Sequence, residues 1–393
     1  MKIKINTQKL FILTIVLEIM IPACKFCILQ SIPGLSGYNN GANMITSLVL
    51  FPLIAISLFY VARKSIFIYA SFLCFVIPVI CTYLFFSSNS ENLTEVLLRL
   101  FTVSFPMLCV SYYIDDWEEF FIRLYRASRI IVICAVIMQI NIFVFGNVGA
   151  YDNEYSISLG YYCIVPFGSI LYNYYLSKKK TDIAFSIILF LVVFISGSRG
   201  PLVSMALLFV YLYFFETKIT AKKILFFIFF IFFIFFVFLF QTEIINSLID
   251  LLSKFGISSR TLNYMKNGML SSTLSRDNLR SDILSNVSSI GIMGNGVLSQ
   301  NRLHNIFLEN VFSFGILSVP INIFIIYATI KSFFLKRYDR YHRYLIVIFL
   351  SYAIVDACLN LTVLGKDMFW IFLGLFLSIY RTGKLNEKNN IRY

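Results

Sequence analysis

The sequence predicts an all-α, polytopic integral membrane protein that crosses the bilayer about twelve times. Three observations lead to this prediction. Of the 393 residues, 59% are hydrophobic and 13% are charged, whereas about a quarter of the residues in soluble domains are charged. Apolar runs of roughly 15 to 22 residues recur along the chain, the length that a helix needs to cross a bilayer. Lys and Arg collect in alternate connections between these runs.

The predicted spans follow the apolar runs in chain order. The clearest run, KILFFIFFIFFIFFVFLF from Lys223 to Phe240, is apolar on every side, as expected for a helix that faces lipid. No small-residue cleavage site follows the first run, so it is predicted as a span and not as a removed signal peptide. The spans are predicted at about residues 10–30, 44–62, 65–86, 94–114, 129–147, 159–176, 182–196, 201–217, 223–242, 304–330, 344–360 and 367–381.

Lys and Arg set the predicted orientation. Of the 33 Lys and Arg residues, 23 lie in one alternate set of connections and tails, and the short connections of the other set hold only Arg199 and Lys366. Because cytoplasmic connections carry the excess of positive charge, both termini are predicted in the cytoplasm. The net charge of +13 reflects this bias, and no binding of nucleic acid is predicted.

This orientation divides the chain into nine spans, one long extracytoplasmic loop, three further spans and a cytoplasmic tail. The loop is long enough to be exempt from the charge rule. A separate amphipathic helix is predicted along the inner membrane surface at 115–128, DDWEEFFIRLYRAS. The four regions cover residues 1–242, 243–303, 304–381 and 382–393.

Neither metal nor cofactor chemistry is expected. The two histidines, His304 and His342, are predicted on opposite sides of the membrane and cannot share a metal ion. His342 is interpreted as an ordinary surface residue. Cys24 and Cys27 form a C-x-x-C inside the first span, where thiols pack as small hydrophobic side chains.

The turn SGSRGP, Ser196 to Pro201, is the first of three features predicted on the outer face. Gly197 and Gly200 allow a sharp reversal, and Pro201 suits the first turn of the next helix. The free N–H groups of that helix start and the guanidinium of Arg199 both suit phosphate oxygens. An Arg199 side chain that only reaches toward lipid head groups is the alternative interpretation.

The second feature is SRDNLRSDILSNVSSI, which begins at Ser275. Ser275 caps a predicted helix on which Arg276 and Arg280 lie on neighbouring turns of one face. Two guanidiniums so placed suit a diphosphate. The alternative is that these arginines pair with Asp277 and Asp282 on a solvated helix face.

The third feature is GIMGNGVLSQNRLHNIFLEN, Gly291 to Asn310. Its glycines turn the backbone, and His304 and Asn305 then start the tenth span. A histidine at a membrane surface can take a proton from a hydroxyl group. A histidine that only caps the helix is the alternative. Together, the three features suit an anionic substrate with a reacting hydroxyl group on the outer face.

These segments resemble the O-antigen polymerase and O-antigen ligase family of bacterial envelope enzymes. The matching pieces are SGSRG at 196–200, the arginine of SRDNLR, MGNG at 293–296 and HNIFLENVFSFGIL at 304–317. Their order, the number of spans and the long outer loop between spans nine and ten also match. The resemblance implies a GT-C-like fold in the bacterial inner (plasma) membrane, with an extracytoplasmic active face and metal-independent glycosyl transfer.

The resemblance also implies roles for individual residues. Arg199 matches the family's turn arginine, which binds the donor's pyrophosphate, and His304 matches the loop histidine, a candidate base. Arg276 fits the loop arginine best, and Arg280 is close enough to leave that choice open. Possible sugar contacts in the outer loop before span six are Tyr151, Asp152, Glu154 and Tyr155. The implied partners are an undecaprenyl-diphosphate-linked oligosaccharide, membrane lipid, a chain-length regulator and a flippase.

Two activities share this chemistry. A polymerase moves a growing glycan to the terminal sugar of a new lipid-linked repeat unit, whereas a ligase moves the finished glycan to lipid A-core. The Phe- and Ile-rich composition favours a polymerase, of O-antigen or of capsule. From a different class, a lipid-linked oligosaccharide flippase or transporter remains an alternative, because charges within the spans can line a path. These charges are Glu18, Lys25, Arg99 and Asp356; Glu18 with Lys25 and Glu95 with Arg99 are spaced to neutralise each other.

Overall fold

The computed structural model shows a helical chain. It describes residues 6–32, 39–61, 66–85, 94, 97–145, 157–195, 199–216, 220, 225, 241–254, 292, 294–296, 305–335, 338–359 and 367–390. Within these ranges lie thirteen α-helices and no strand. The predicted all-α class is therefore confirmed for this part of the chain.

We number the α-helices in chain order. They are α1 Thr7–Ser31, α2 Asn39–Val61, α3 Ile66–Phe85, α4 Phe105–Tyr112, α5 Trp117–Phe145, α6 Ile157–Ser177, α7 Lys180–Ile195, α8 Arg199–Tyr211, α9 Gln241–Ser253, α10 Ile306–Phe314, α11 Ser318–Phe333, α12 Arg340–Leu359 and α13 Asp367–Asn390. A π-helical turn, Leu100–Ser104, leads into α4, and a second, Leu212–Glu216, follows α8. A 3₁₀ turn, Gly315–Leu317, joins α10 to α11.

Three of the described helical segments are long and apolar enough to cross a membrane. They are Thr7–Ser31, Asn40–Val61 and Ile306–Phe333, the last of which runs from α10 through α11. This finding agrees with the membrane class that the composition predicts. The predicted span at 223–242 lies almost wholly outside the described residues.

The chain divides into two compact units. The first unit contains residues 1–22, 40–128 and 276–393, and the second contains residues 23–39 and 129–275. Each unit has its own buried apolar side chains.

In the first unit, α13 packs along α4 and α12. Gly374 makes the contact with α4 possible, because a Cβ atom at this position would meet the Ser111 hydroxyl and lie 2.5 Å from the Leu108 carbonyl oxygen. Next to this contact, the ring of Phe72 lies 5.7 Å from that of Trp370 and 4.3 Å from that of Phe105. Buried aromatic rings contribute the largest apolar areas, so this contact stabilises the unit.

In the second unit, α6, α7 and α8 pack against one another. The connection from α6 to α7 is a tight turn in which Lys178 has a φ of 57°. The Lys178 N–H donates to the Tyr174 carbonyl over 2.8 Å, and the Asn173 amide donates to the Asp182 carboxylate over 2.7 Å. Both bonds close the turn, so α6 and α7 form an antiparallel helical hairpin.

The cysteines near this hairpin agree with the predicted packing role. Cys27 of α1 and Cys163 of α6 are both 0% exposed, and Cys27 lies close enough to Cys24, Cys134 and Cys163 for the thiols to interact. The six cysteines whose side chains the structure describes are free thiols. Side chains of this kind fill small spaces between helices.

One predicted boundary is wrong. The stretch 115–128 does not form a separate surface helix, because α5 runs without interruption from Trp117 to Phe145. Asp116 caps its start, where the Asp116 carboxylate accepts a hydrogen bond from the Glu119 N–H over 3.1 Å. No Gly or Pro follows within the helix, so nothing in the sequence ends it at the predicted junction.

Candidate functional site

Most of the predicted site residues lie outside the described part of the chain. Arg199 is described only as the first residue of α8, without its side chain. The others are Arg276, Arg280, His304, Tyr151, Asp152, Glu154 and Tyr155. Their predicted roles therefore stay predictions. The structure does describe the segments that follow Arg199 and His304 in the chain.

A helix begins at Arg199, and residues 196–198 of the predicted turn lie outside the described part of the chain. Helix α8 begins at Arg199, which puts Pro201 in its first turn. The N–H groups of a first helical turn have no partner within the helix and form the positive end of its dipole. The local backbone therefore offers the helix start on which the predicted phosphate site depends.

The residue after His304 has a defined structural role. Asn305 is the N-cap of α10, and its side-chain oxygen accepts hydrogen bonds from the N–H groups of Phe307 over 3.0 Å and Leu308 over 3.3 Å. Two of the free N–H groups at the start of α10 are thus paired by Asn305. The capping role that was the alternative for His304 is therefore filled by its neighbour.

The MGNG stretch binds to the other end of α10 through its backbone. The N–H of Asn295 donates to the Phe312 carbonyl over 2.7 Å, and the N–H of Gly296 donates to the Ser313 carbonyl over 3.2 Å. In the opposite direction, the N–H of Ile316 donates to the Ile292 carbonyl over 2.9 Å. We call this set of contacts the glycine clasp, formed by Ile292, Gly294, Asn295, Gly296, Phe312, Ser313, Gly315 and Ile316.

The glycine clasp requires its glycines. Gly294, Gly296 and Gly315 have φ angles of 78°, 89° and 55°. Residues other than glycine rarely adopt such positive φ angles. A Cβ atom on Gly294 would lie 2.6 Å from the Gly315 nitrogen and from the Ser313 carbonyl oxygen, and one on Gly315 would meet the Ile292 carbonyl. The predicted turn at Gly294 and Gly296 is confirmed. The break at Gly315 was not predicted and divides the expected continuous span at 304–330 into α10 and α11.

Two asparagines stabilise this broken helix. The Asn310 amide donates to the Asn322 side-chain oxygen over 2.8 Å, and the Asn322 amide donates to the Phe307 carbonyl over 3.2 Å. Asn310 is 6% exposed, so these bonds form in an apolar environment where an unpaired amide is unfavourable. The segment 304–317, one of the pieces that carry the family resemblance, is therefore fixed near its start by Asn305 and at its break by the clasp.

A cluster of charged groups lies in the first unit. Arg99, directly before the π-helical turn, forms an ion pair of 3.5 Å with Asp367, the first residue of α13. Glu18 of α1 is 8% exposed and lies within electrostatic range of both groups. The predicted pairs, Glu18 with Lys25 and Glu95 with Arg99, stay predictions, and Glu95 lies outside the described residues. Spacing along one helix did not reveal the contact between Arg99 and Asp367.

Contacts at another end of the first unit join the segments predicted on the cytoplasmic side. The Gln8 amide donates to the Tyr113 carbonyl over 2.9 Å, and the Asp115 N–H donates to the Gln8 side-chain oxygen over 2.9 Å. Arg381 forms an ion pair of 2.6 Å with Asp115. The Tyr341 hydroxyl donates to Glu118 over 3.3 Å. These four segments share one end of the unit, as the charge-based orientation requires.

His342 belongs to this end and is not the surface residue that the sequence suggested. It is 1% exposed, and its ring stacks on Trp117 with centroids 3.7 Å apart. Asp339 caps α12 through the N–H groups of Tyr341 and His342, which turns position 342 inward. Because the Leu375 carbonyl, 3.0 Å from Nε2, can only accept, Nε2 carries the hydrogen and donates. Burial lowers the pKa of His342 to about 4.

Among the residues with described positions, no group of three or more His, Cys, Asp or Glu side chains is placed to hold a metal ion. No protein-family model, no curated protein and no solved structure matches the chain.

Proposed function

We propose that this protein is a bacterial polysaccharide polymerase of O-antigen or capsule. It transfers a growing glycan from undecaprenyl diphosphate to the terminal sugar hydroxyl of a new lipid-linked repeat unit, without a metal ion. The proposal is supported by the order of the motifs and, above all, by the glycine clasp. The clasp gives a physical reason for two of the matching segments, MGNG and FSFG, to occur together in one chain.

The proposed reaction needs little covalent chemistry from the protein. The bond between the anomeric carbon and the phosphate oxygen breaks, and the diphosphate leaves with the electron pair. The acceptor oxygen forms the new bond, and its proton passes to His304. Arg199, with Arg276 or Arg280, stabilises the charge that collects on the departing diphosphate. Tyr151, Asp152, Glu154 and Tyr155 are proposed to contact sugars.

The proposed location is the inner (plasma) membrane, with both termini in the cytoplasm and the reaction on the opposite side. The contacts that join Gln8, Asp115 and Arg381 support this orientation, because three segments predicted in the cytoplasm lie together. A flippase that delivers the lipid-linked unit and a chain-length regulator are the proposed partners.

Substitution of the proposed site residues tests the function in cells. Arg199→Ala and His304→Ala should each abolish the ladder of polymer lengths and leave single repeat units at the surface. Arg302→Ala, a basic residue of the same predicted loop with no proposed role, is the matched control and should keep the ladder. Arg276→Lys should also fail, because lysine cannot bind phosphate oxygens through two parallel hydrogen bonds; full activity there would transfer the role to Arg280.

The same experiment separates the related activities. A normal ladder in both Arg199→Ala and His304→Ala, at wild-type protein levels, would contradict the proposed roles. Polymer that forms but stays on the lipid carrier would indicate a ligase.

A transporter of lipid-linked oligosaccharide is the second candidate, and the Glu18, Arg99 and Asp367 cluster favours it. Charged groups within spans often line transport paths. Inactive variants of a flippase would retain the lipid-linked unit on the inner leaflet, whereas inactive variants of a polymerase would let it reach the outer leaflet. An accessibility assay for the saccharide on inverted and right-side-out vesicles distinguishes the two.

A further inference from the structure

We propose that the turn between α6 and α7 binds one anionic phospholipid of the surrounding bilayer, in the leaflet on the predicted cytoplasmic side. We call this turn the lysine turn, formed by Lys178, Lys179 and Lys180. Its ammonium groups bind the phosphodiester of the headgroup, and the acyl chains lie along the exposed face of α7. The proposal rests on the predicted span at 182–196 and on the charge-based orientation. It does not depend on the proposed function.

The lysine turn places positive charge at the end of an exposed apolar helix face. All three lysines are exposed, and Lys180 is the first residue of α7. Ile187 and Leu191 follow Lys180 by seven and eleven residues, which puts them on the same face of the helix. They are 54% and 48% exposed. This face therefore has a cationic end and an apolar length, the two features that determine how strongly a helix binds an anionic lipid.

The backbone of the lysine turn suits glycine, yet lysine occupies the position. Lys178 has a φ of 57°, which is unfavourable for a residue with a side chain. Its ammonium group lies 4.7 Å from the ring centre of Tyr175 and 5.7 Å from that of Tyr174. Tyr175 is itself held in place, because its hydroxyl donates to the Glu216 carbonyl over 2.9 Å. A strained position that keeps its side chain on two rings indicates a role for that side chain.

Two carboxylates close to the lysine turn make contacts within the fold. Asp182 is fully buried and accepts a hydrogen bond from the Asn173 amide over 2.7 Å. Asp182 also lies on the side of α7 opposite to Lys180. The Glu216 carboxylate accepts a hydrogen bond from the Tyr211 hydroxyl over 3.3 Å. The acids thus serve the packing of the second unit, whereas the lysines face outward, where a headgroup can reach them.

A second helix of the same unit repeats this pattern beside α7. The guanidinium of Arg129 on α5 lies 5.4 Å from the ring centre of Phe185, near the start of α7. Arg129 is exposed, and the exposed side of α5 continues with Ile133 and Ile140. A cation followed by an exposed apolar face therefore occurs on two helices that touch each other. A phospholipid, with a charged headgroup and two apolar chains, matches this surface.

The charge of the lysine turn decides which phospholipid it prefers. A zwitterionic headgroup carries its own ammonium group, which the lysines repel, whereas a headgroup with a net negative charge is attracted without this penalty. Basic residues at the cytoplasmic ends of membrane helices bind anionic headgroups for this reason. The site therefore selects an anionic phospholipid over a zwitterionic one.

The test counts the lipids that the purified, delipidated full-length chain binds in a neutral detergent, by native mass spectrometry. Dioleoyl phosphatidylglycerol and dioleoyl phosphatidylcholine are titrated separately, because they share acyl chains and a phosphodiester and differ in headgroup charge. Wild type should bind one phosphatidylglycerol more tightly than any phosphatidylcholine. Inorganic phosphate, added as a competitor, should not displace it, since phosphate lacks the apolar chains that also contribute to binding.

The variants separate a built site from a general attraction between charges. Lys178→Gly relieves the positive φ, so it should fold at least as stably as wild type and bind phosphatidylglycerol about fivefold or more weakly. Lys179→Gln combined with Lys180→Gln should weaken binding further. Lys331→Gln removes an exposed lysine of α11 and changes the net charge as Lys178→Gly does, so it is the matched control and should keep wild-type affinity. Melting temperatures confirm that each variant is folded.

Three results would overturn the proposal. The first is equal affinity of wild type for the two lipids, and the second is displacement of phosphatidylglycerol by inorganic phosphate, which would assign the site to a free anion. The third is an affinity for phosphatidylglycerol that is the same in Lys178→Gly as in Lys331→Gln, because the lysine turn would then contribute no more than any other basic residue.

Discussion

At the scale of the residue, His342 shows how a titratable side chain can serve the packing and hydrogen bonding of the fold. It lies between Trp117 and the carbonyl of Leu375, and the Ser378 hydroxyl is 2.9 Å from its Nε2 atom. Sequence reasoning placed His342 on the surface, because KRYDRYHR is rich in charge, whereas the structure buries it. The cap at Asp339 decides which way position 342 faces, and this depends on a helix boundary that spacing alone does not determine.

The buried histidine predicts a dependence of stability on pH. Burial lowers the pKa of His342 to about 4, so between the ordinary value near 6.5 and pH 4 the unfolded chain binds a proton that the folded chain does not. The contribution of His342 to stability is complete above pH 6.5 and is lost as the pH falls, by about 3 kcal/mol in total. His342→Phe keeps the ring on Trp117 and should remove this part of the dependence. Melting temperatures of both proteins from pH 7 to pH 4 check it; parallel curves would contradict it.

Gly315 predicts a large effect from one methyl group. Its φ of 55° with a ψ of −129° is open to glycine and strained for any other residue, and an added Cβ would meet the Ile292 carbonyl. Gly315→Ala should therefore destabilise the protein by about 2 kcal/mol or more, and should reduce polymer formation because the clasp fixes the segment that begins at His304.

The matched control is Gly41→Ala. Nothing lies within 4 Å of a Cβ atom at Gly41 in α2, so this change should be neutral or slightly stabilising. Thermal unfolding and the length ladder are measured for both variants. Equal behaviour of Gly315→Ala and Gly41→Ala would show that the clasp is not required.

At the scale of the element, the sequence predicts that a helix exists better than it predicts where that helix begins and ends. Apolar runs predicted α1, α2 and α6 within a few residues of where they lie. The same reasoning missed the continuity of α5 and the break between α10 and α11. Helix α5 is continuous because no helix-breaking residue lies where its polarity changes. The break between α10 and α11 lies at Gly315, where the backbone of Ile292, Asn295 and Gly296 bonds to residues on either side of it. Hydrophobic periodicity reports neither of these causes.

The contact between α4 and α13 predicts a specific packing defect. Gly374 allows these helices to approach so closely that a Cβ atom would lie 2.5 Å from the Leu108 carbonyl oxygen. Gly374→Ala must separate the helices, which should cost about 1 to 3 kcal/mol despite the higher helix propensity of alanine. Chemical denaturation against the Gly41→Ala control measures it. A stabilised Gly374→Ala protein would show that propensity outweighs packing at this contact.

At the scale of the whole molecule, charge statistics and tertiary contacts agree within the first unit. The segments that carry excess Lys and Arg also share hydrogen bonds and an ion pair through Gln8, Asp115 and Arg381. The orientation itself stays a prediction, which depends on many residues summed along the chain. The Glu18, Arg99 and Asp367 cluster was not predicted, because three residues far apart in sequence meet only when the helices pack.

The proposed reaction is tested most directly with purified protein in liposomes and a synthetic undecaprenyl-diphosphate-linked repeat unit, in the presence of EDTA. The account predicts that wild type converts single units into a ladder of longer lipid-linked glycans, and that His304→Ala, folded to the same melting temperature, leaves single units unchanged. Single units that remain unextended by wild type across a panel of repeat-unit structures, or a ladder of equal length from His304→Ala, would contradict it.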